Sequence, residues 1–494
     1  MGETNAKQGA VPHRLFGRRR LMTPYARITR ENVLEVFETV RYDMEVNFLQ
    51  TQTLYRYFVG EQNILHREKE VRPEICNRAT ENHAAQIVRF KTGHIFGEPI
   101  RYVCRAAEKG PESHGVLGAL KRAVSGENRI SERITDLNEM MHVAGKAALD
   151  MELGEWMFTC GVGYRLLLPD PTERLPFLID TLDPRFTAVV YTTGAGRAPV
   201  MSIQKKADVN GDDVFWCYTP DALYRIREGI VEDAQDNPLG FIPVYEYTTG
   251  LARMGGFEPA INLLDALNLV TNNRLDGLEQ FIQQFMVVEN LKIDKELWHS
   301  LREDGLLSYT SDPGNPGKVY MISSELNQSQ VQTLKDDILQ QILTICDMPD
   351  RNGSSRTTGD TGQAVILRDG WSSAESYAKA VVLCFEPVEK RFLYDLLSLL
   401  DAKNVPLGIT VGDIGIKFTR NMTDNMLTKT QALQNMLEAG VAPRIAISHC
   451  NMFSDPEQVY MDSLPYLRKW ELAAESEPQE TPANNKPNPS EADE

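Results

Sequence analysis

The sequence predicts a predominantly helical α+β fold, and two patterns carry that prediction. Long stretches in both halves of the chain repeat apolar residues every three or four positions, as a helix with one buried face does. Between them, residues 161–247 divide into short β-favouring runs separated by Gly, Pro and Asp, which is typical of antiparallel strands. The chain has 494 residues, more than one hydrophobic core usually holds, so we expect several modules.

Three helices are predicted before the strands. The first covers residues 30–59 and ends at Gly60. The second runs from Pro73 to Phe96, before a turn in GHIFGEP and a strand in IRYVCRA, and the third covers residues 130–160. Residues 1–29 mix basic and polar types without apolar periodicity, so we expect a mobile arm there.

The strands are predicted to form an antiparallel meander that closes at NPLGFIPVYEY. Two helices over residues 257–286 and 326–347 then flank a small insert of short strands. A long helical segment follows over residues 363–403, interrupted at Gly370 and bent at Pro387. One strand in GITVGDIGIKFTRN and two helices from Leu427 onward complete the ordered chain, and the acidic end is expected to be a disordered tail.

The formal net charge of −17 argues against a protein that holds nucleic acid tightly and statically. Lys and Arg together number 52 against 69 Asp and Glu, whereas such a binder usually carries a basic face that neutralises phosphates. The 7 cysteines lie far apart without a CxxC pair, so neither a disulfide framework nor a zinc site is predicted. No long apolar run indicates a membrane span or a secretory signal, and we expect the chain to be made in a cytoplasm.

The sequence shows no strong catalytic motif. The polar stretch DRNGSSRTTGDTG lacks the lysine of a P-loop, the 8 histidines are isolated, and no GxSxG motif occurs. Asp180, Asp183 and Arg185 suggest acid–base chemistry, but turn residues at strand ends explain them better. We therefore predict a structural component that is not an enzyme and has no cofactor, with a hydrolase that uses Asp180 and Asp183 as one competing interpretation.

Two further groups of residues have a structural and a functional interpretation. Trp156 and Trp216 are predicted to pack in a core, and stacking on a base is the alternative. Arg18, Arg19 and Arg20 are predicted to lie in a solvated terminus, and contact with nucleic acid or an acidic neighbour is the alternative.

Six short segments between residues 55 and 425 occur in a fixed order. They are YRYFVGEQNILHRE (55–68), ENHAAQIVRFKTGHIFGEPIRY (81–102), GEWMFTCGVGYRLLLPD (154–170), NPLGFIPVYEY (237–247), LLDALNLVTNNRLDGLEQF (263–281) and IKFTRNMTDN (416–425). Together they resemble the portal (connector) proteins of tailed bacteriophages of the siphophage type. The chain departs from the family pattern at CNRATEN, where an Asn-Asn pair is usual, and at TTGLARMGG, where the usual turn is rich in Asn.

The resemblance implies a phage portal fold whose wing, stem, clip and crown regions assemble into a ring. The implied regions are a mobile N-terminal arm (1–29), the wing (30–256), the first stem helix (257–286), the clip (287–325), the second stem helix (326–347), the tunnel loop (348–362), a long kinked wing helix (363–403), the crown (404–470) and a disordered acidic tail (471–494).

The same resemblance makes DRNGSSRTTGDTG part of the tunnel loop, which projects into the channel. Small polar residues suit a loop that has no core to pack on. Around a ring, its arginines would form circles of positive charge that face phosphate, and its neutral side chains would offer hydrogen bonds without sequence specificity. An ordinary exposed linker is the alternative. The implied DNA-facing residues are Arg351, Asn352, Ser354, Ser355, Arg356, Thr357 and Thr358. The candidate partner contacts in the clip are Trp298, Leu306, Leu307 and Tyr309, for which a buried clip core is the alternative.

The implied function is a channel for double-stranded DNA at one capsid vertex of the virion. Such rings are typically dodecamers, and DNA is packaged and ejected through them. The implied partners are further copies of the chain, the large terminase subunit, a head-completion adaptor, and the major capsid and scaffolding proteins, without a membrane. A virion structural adaptor without a DNA channel is the competing interpretation.

Overall fold

The computed structural model describes residues 17–105, 127–172, 174–208, 210–282, 285–289, 318–322, 328–349, 370–420 and 426–450, with short stretches between 452 and 466. The described residues divide into two compact units. The larger unit holds those up to Arg420, and the smaller unit holds those from Met426 onward.

Helices and sheets both contribute to the described part of the chain. The helices are α1 (Val33–Val59), α2 (His83–Phe96), α3 (Glu127–Val143), α4 (Lys146–Cys160), α5 (Ile261–Ile282), α6 (Gln328–Ile345), α7 (Trp371–Ala402), α8 (Met426–Glu438) and α9 (Pro443–His449). The strands are β1 (Leu21–Thr23), β2 (Arg101–Cys104), β3 (Val162–Leu168), β4 (Leu178–Leu182), β5 (Thr187–Thr192), β6 (Pro199–Ala207), β7 (Asp213–Tyr218), β8 (Ala222–Arg227), β9 (Ile230–Asp236), β10 (Val244–Thr248), β11 (Phe285–Glu289), β12 (Lys318–Ile322) and β13 (Ile414–Lys417).

Helix α1 packs its apolar face on a six-stranded sheet of order β1-β5-β6-β7-β8-β9. Phe37 and Phe215 meet edge to face across this contact, with ring centroids 4.9 Å apart. The helix ends where the sequence predicts, because Gly60 adopts a φ of +96° that other residues rarely tolerate. The predicted first helix is therefore confirmed.

Two predicted helices have different limits in the structure. Helix α2 begins at His83 and not near Pro73, because the Asn82 side chain accepts a hydrogen bond from the Ala85 amide and caps the helix there. The third predicted helix is two helices, α3 and α4, because Gly145 adopts a left-handed φ of +69° between them.

The meander prediction is confirmed for β5 to β9, whose consecutive strands pair antiparallel. Strands β3 and β4 also pair antiparallel, but the prediction of one continuous meander is wrong. Strands β3, β4 and β10 form a separate sheet, in which Val244 of β10 lies opposite Leu166 of β3. Strand β1 joins the large sheet in parallel, with Leu21 opposite Val190.

The prediction of a mobile N-terminal arm is wrong for residues 17–29. Strand β1 lies within this stretch, and the Arg18 side chain is only 1% exposed. Arg18 tolerates burial because Glu258, 240 positions later, accepts its hydrogen bond at 2.6 Å. The predicted solvated cluster therefore does not include Arg18.

A second core surrounds α7, which runs as one helix of 32 residues through Pro387. Its Phe385 contacts Phe96 of α2, with ring centroids 5.5 Å apart. Helices α2 and α4 approach closely because Gly154 has no side chain, and a Cβ atom there would lie 2.4 Å from the Phe96 ring. Strand β13 pairs with β2, so residues far apart in sequence close this core.

The smaller unit contains α8 and α9, as predicted for the chain after Leu427. Ala446 and Ile447 of α9 are buried within it. None of the described helices combines the length and the apolar character that crossing a bilayer requires.

Candidate functional site on the α5–α6 helix pair

Helices α5 and α6 form an adjacent pair, with Leu267 of α5 and Ile342 of α6 fully buried in one core. Between them in sequence, β11 and β12 form an antiparallel ladder with Val287 opposite Tyr320. The two helices and the two strands match the elements that the sequence predicts here. Helix α5 is shorter than predicted, because Phe285 already belongs to β11.

A strap of chain, residues 61–82, which includes a short 3-10 helix (Asn63–His66), is bound along one row of polar side chains on α5. The row consists of Asn268, Asn272 and Asp276, which are spaced by four residues and therefore share a helix face. Each accepts a backbone amide of the strap: Glu81 N at 2.8 Å from Asn268 Oδ1, Ala79 N at 2.7 Å from Asn272 Oδ1, and Asn77 N at 2.8 Å from Asp276 Oδ1. Because buried amides need partners, this row fixes the strap on α5.

Cations of the strap converge on Asp276. Arg67 Nη1 lies 3.0 Å and Lys69 Nζ 3.1 Å from its carboxylate. Burial alone would raise the pKa of Asp276, but hydrogen bonds from Asn77 and Lys69 hold it below its ordinary value. The Asp276 carboxylate is therefore negatively charged at neutral pH, where it pairs with Arg67 and Lys69 of the strap.

Glu81 connects the strap to both helices of the pair. Its Oε1 accepts a hydrogen bond from Thr271 of α5 and another from Lys335 of α6, each at 2.6 Å. Burial favours the neutral acid, yet the hydrogen bonds from Lys335 and Thr271 lower the pKa of Glu81. One carboxylate thus holds α5, α6 and the strap together.

The end of α6 and the start of α7 lie side by side. Ser373 of α7 donates a hydrogen bond to Asp347 Oδ1 at 2.5 Å. Gly370 adopts a φ of +78°, and a Cβ atom there would lie 3.3 Å from the Met348 carbonyl oxygen. The two described ends of the chain, before residue 350 and after residue 369, therefore lie next to each other between two well-packed helices.

A family model described as phage portal protein, SPP1 Gp6-like, matches residues 38–477. The chain belongs to this family of phage portal proteins. A search of curated proteins finds no match. Matching solved structures include the neck of a native GTA particle computed with C12 symmetry, at 13% identity and a TM-score of 0.40, covering 79% of this chain and 89% of that chain. Another is the neck of an empty GTA particle computed with C6 symmetry, at 15% identity and a TM-score of 0.40, covering 79% and 90%.

Family membership confirms the resemblance that the six segments indicate, and it gives this portal protein a portal or connector role in the phage particle. The family is structural, in keeping with the absence of catalytic motifs from the sequence. Among the residues that the structure describes, no group of three or more His, Cys, Asp or Glu could hold a metal ion.

A buried charge cluster anchors α7 of the portal protein to α4 and β3. Glu389 of α7 accepts a hydrogen bond from Arg165 of β3 at 2.6 Å and lies 3.0 Å from Lys146 Nζ of α4. Burial would raise the pKa of Glu389, but Arg165 and Lys146 lower it to about 2. Asp150, which also binds Arg165 and Lys146, balances the second positive charge. Two tyrosine hydroxyls, Tyr102 and Tyr247, donate the remaining hydrogen bonds to Glu389.

The structure of the portal protein describes some of the residues that were predicted to form a site, and others lie outside the described part. Asp183 forms an ion pair with Arg185 at 2.6 Å just after β4, as the turn interpretation predicts. For Asp180 that interpretation is wrong, because Asp180 lies within β4 opposite Leu166. Trp156 and Trp216 are half-buried, so neither lies fully within a core. All of the predicted tunnel-loop residues (Arg351, Asn352, Ser354, Ser355, Arg356, Thr357, Thr358) and clip contacts (Trp298, Leu306, Leu307, Tyr309) lie outside the described residues.

Sequence reasoning missed the polar row and Glu81. The signal for the row was present, because Asn268, Asn272 and Asp276 recur at the helical interval of four within a segment predicted to be a helix. Glu81 gave no comparable signal, since its partners Thr271 and Lys335 lie 190 and 254 residues away in sequence.

Proposed function

We propose that copies of this chain form a ring-shaped channel at one capsid vertex, through which double-stranded DNA is packaged and ejected. Membership of the portal family supports a connector role. By resemblance, the ring is a dodecamer that also serves as the platform for the large terminase subunit and the head-completion adaptor. The capsid and scaffolding proteins would surround the same ring.

The observation that carries the DNA-channel proposal is the meeting of the two ends of residues 350–369. Ser373 and Asp347 join these ends, and α6 and α7 on either side are packed in the core. A segment that starts and finishes at one rigid point can project from the fold without disturbing it. It includes Arg351 and Arg356, which would face the DNA phosphates as rings of positive charge.

Helix α6 offers a surface on which a neighbouring copy would pack. Leu334 and Ile345 are separated by about three helical turns and therefore lie on one face of α6, which forms the candidate seam, whereas Ile338 packs partly on the core of its own chain. Leu334 is 51% and Ile345 is 46% exposed. A ring requires two different surfaces that fit one another, and the exposed Leu269 on α5 lies on the second candidate surface.

The net charge of −17 suits a channel through which DNA slides. Each phosphate that a protein neutralises adds to affinity, so a strongly basic channel would hold the DNA in place. An acidic body with a few rings of arginine would guide DNA with less retention. Energy for movement would come from the partner motor, because the chain carries no P-loop.

Electron microscopy of the purified protein tests the proposal. We expect end-on views of rings with a central opening wide enough for duplex DNA. Rings that form without an opening, or closed dimers, would contradict the DNA channel and favour the structural adaptor.

A further inference from the structure

Lys91 of α2 is buried where four segments of the larger unit meet. It is 4% exposed, and its Nζ lies 3.4 Å from the ring centre of Tyr377 on α7. Gly256, in the turn before α5, makes room for the aliphatic stem, because a Cβ atom there would lie 2.9 Å from Lys91 Cδ. Cys346 and Asp347 at the end of α6 also face the ammonium group and favour its charged form. Lys91 therefore lies where the end of α6 and the start of α7 are held side by side.

The ammonium group of Lys91 has no carboxylate partner in the described part of the chain. None of the described residues forms an ion pair or a hydrogen bond with its Nζ, which rests on the face of the Tyr377 ring. By contrast, the equally buried Lys146 lies against the carboxylates of Asp150 and Glu389. A ring face recovers only part of the hydration energy that an ammonium group loses on burial. The charged form of Lys91 therefore destabilises the place in which it is buried.

The environment of Lys91 favours the neutral amine. Burial lowers the pKa of Lys91 to about 8, although Cys346 and Asp347 act in the opposite direction. Because the amine binds a proton less tightly in the folded chain than in the unfolded chain, its charge destabilises the fold below about pH 8. This loss of stability disappears as the pH rises from about 8 towards the ordinary pKa of a lysine, about 10.4.

The other titratable groups around this lysine keep their charge between pH 7 and pH 9.5. Burial raises the pKa of Cys346 to about 11 and that of Tyr377 above its ordinary value, so both stay largely neutral. Asp347 accepts a hydrogen bond from the Ser373 hydroxyl. His94, one turn further along α2, faces Glu375 of α7 at 3.5 Å, and burial lowers the pKa of His94, so it is neutral above pH 7.

We propose that Lys91 is a proton-dependent weak point of the contact between the end of α6 and the start of α7. In the ammonium form, the unpaired buried charge lets this contact open more readily. In the neutral form, the amine packs as an uncharged side chain and the contact stays closed. The proposal concerns a single copy of the chain, and it holds or fails independently of the ring and of the DNA channel.

Lys91→Met tests the proposal, because it keeps the length of the side chain and removes the charge. Hydrogen exchange at pH 7 should become about tenfold slower in residues 342–348 and 371–378. Lys379→Met is the matched control, since the Lys379 side chain is 65% exposed on the same helix as Tyr377, and it should leave exchange unchanged. If Lys91 only filled space, its replacement would speed exchange. Unchanged or faster exchange in the Lys91→Met chain would therefore overturn the proposal.

The pH dependence of stability provides a second test. The Tm of the Lys91→Met chain should exceed that of the original chain at pH 7, and the difference should fall to less than half at pH 9.5, where Lys91 of the original chain is neutral. Groups that titrate equally in both chains cancel in this comparison. A difference of the same size at both pH values would show that the proton on Lys91 has no effect.

The ring of Tyr377 allows a third test that leaves Lys91 in place. Tyr377→Leu removes the ring face, whereas Tyr377→Phe keeps it, so the Leu variant loses the contact that partly stabilises the ammonium group. The Tm of the Leu variant should lie further below that of the Phe variant at pH 7 than at pH 9.5. An equal gap at both pH values would mean that the ring faces no charge, and the proposal would be wrong.

Discussion

Arg165 of β3 and Glu389 of α7 form an ion pair at 2.6 Å in which at most 1% of either side chain is exposed. The two residues lie 224 positions apart, and each has a further partner of opposite charge in Asp150 or Lys146. Two buried cations therefore balance two buried carboxylates, and the long helix α7 is fixed in one position against the sheet.

Substitution of Glu389→Gln should destabilise the larger unit by about 3–5 kcal/mol, because it leaves Arg165 and Lys146 buried with only one carboxylate. The midpoint of urea-induced unfolding measures this loss. Glu386→Gln is the matched control, since Glu386 lies one turn earlier on α7, is half-exposed and is 3.9 Å from Lys390. If the unfolding midpoint falls by a similar amount in both variants, the buried cluster contributes no more to stability than the exposed ion pair does.

The same cluster predicts a pH dependence. The pKa of Glu389 is about 2 in the folded chain and lies near its ordinary value when unfolded, so its contribution to stability is present above about pH 4.3. That contribution should disappear as the pH falls from about 4.3 towards 2. Unfolding midpoints of the original chain and of Glu389→Gln should therefore converge at acid pH, and a constant difference would contradict the low pKa.

Removal of Asn272 should loosen the strap. Asn272→Ala deprives the Ala79 amide and carbonyl of their partners, and an unsatisfied buried group costs about 1–3 kcal/mol. Hydrogen exchange at residues 77–82 should become faster, while exchange in α1 should not change. The control is Asn262→Ala, an exposed position on the same helix. Unchanged exchange in the strap would show that the polar row does not hold it.

The two arginines of the implied tunnel loop should matter for DNA and not for assembly. Replacing both Arg351 and Arg356 with Ala should leave rings intact and reduce the DNA packaged per particle, because phosphate contacts are lost. Replacing the exposed Arg101 and Arg174 is the matched control for lost positive charge. If particles with the loop variant package the normal amount of DNA, the proposed role of the loop is wrong, and the proposal of a ring is unaffected.

The seam on α6 should matter for assembly and not for the fold of the subunit. Leu334→Lys with Ile345→Lys should convert rings into monomers, because each change buries a charge between neighbouring copies. Sedimentation velocity measures the change, and circular dichroism checks the fold. Ile230→Lys with Leu251→Lys, at positions that are 65% and 86% exposed, is the control. Rings that survive the α6 change would place the subunit contact elsewhere.

Local sequence patterns predicted the helices and strands whose signals lie within one segment. The apolar spacing from Val33 to Leu54 gave α1, and Gly60 gave its end. The β5–β9 meander was predicted from short β-favouring runs that are separated by Gly, Pro and Asp. Helix ends that depend on a single residue were harder to predict. Asn82 and Gly145 are examples, because the residues around each also suit a helix.

Contacts between distant segments could not be predicted from one sequence. Strand β1 has only three residues, too few for a period, and the charge of Arg18 suggests solvent unless Glu258 is known to lie beside it. The buried cluster likewise joins α4, β3 and α7, and nothing local marks Lys146, Asp150, Arg165 or Glu389 as partners. For the candidate site, composition and family resemblance identified the polar loop, whereas the joining of its two ends by Asp347 and Ser373 required the structure.

The joining of these ends also determines how the chain tolerates insertions and deletions. Since Asp347 and Ser373 fix the ends of the intervening segment, its length can change without moving α6 or α7. The free energy of closing a flexible loop grows only with the logarithm of its length, by about 0.6 kcal/mol per doubling. Related chains are therefore expected to differ in length between residues 350 and 369, and a peptide tag placed there should leave the rest of the fold intact.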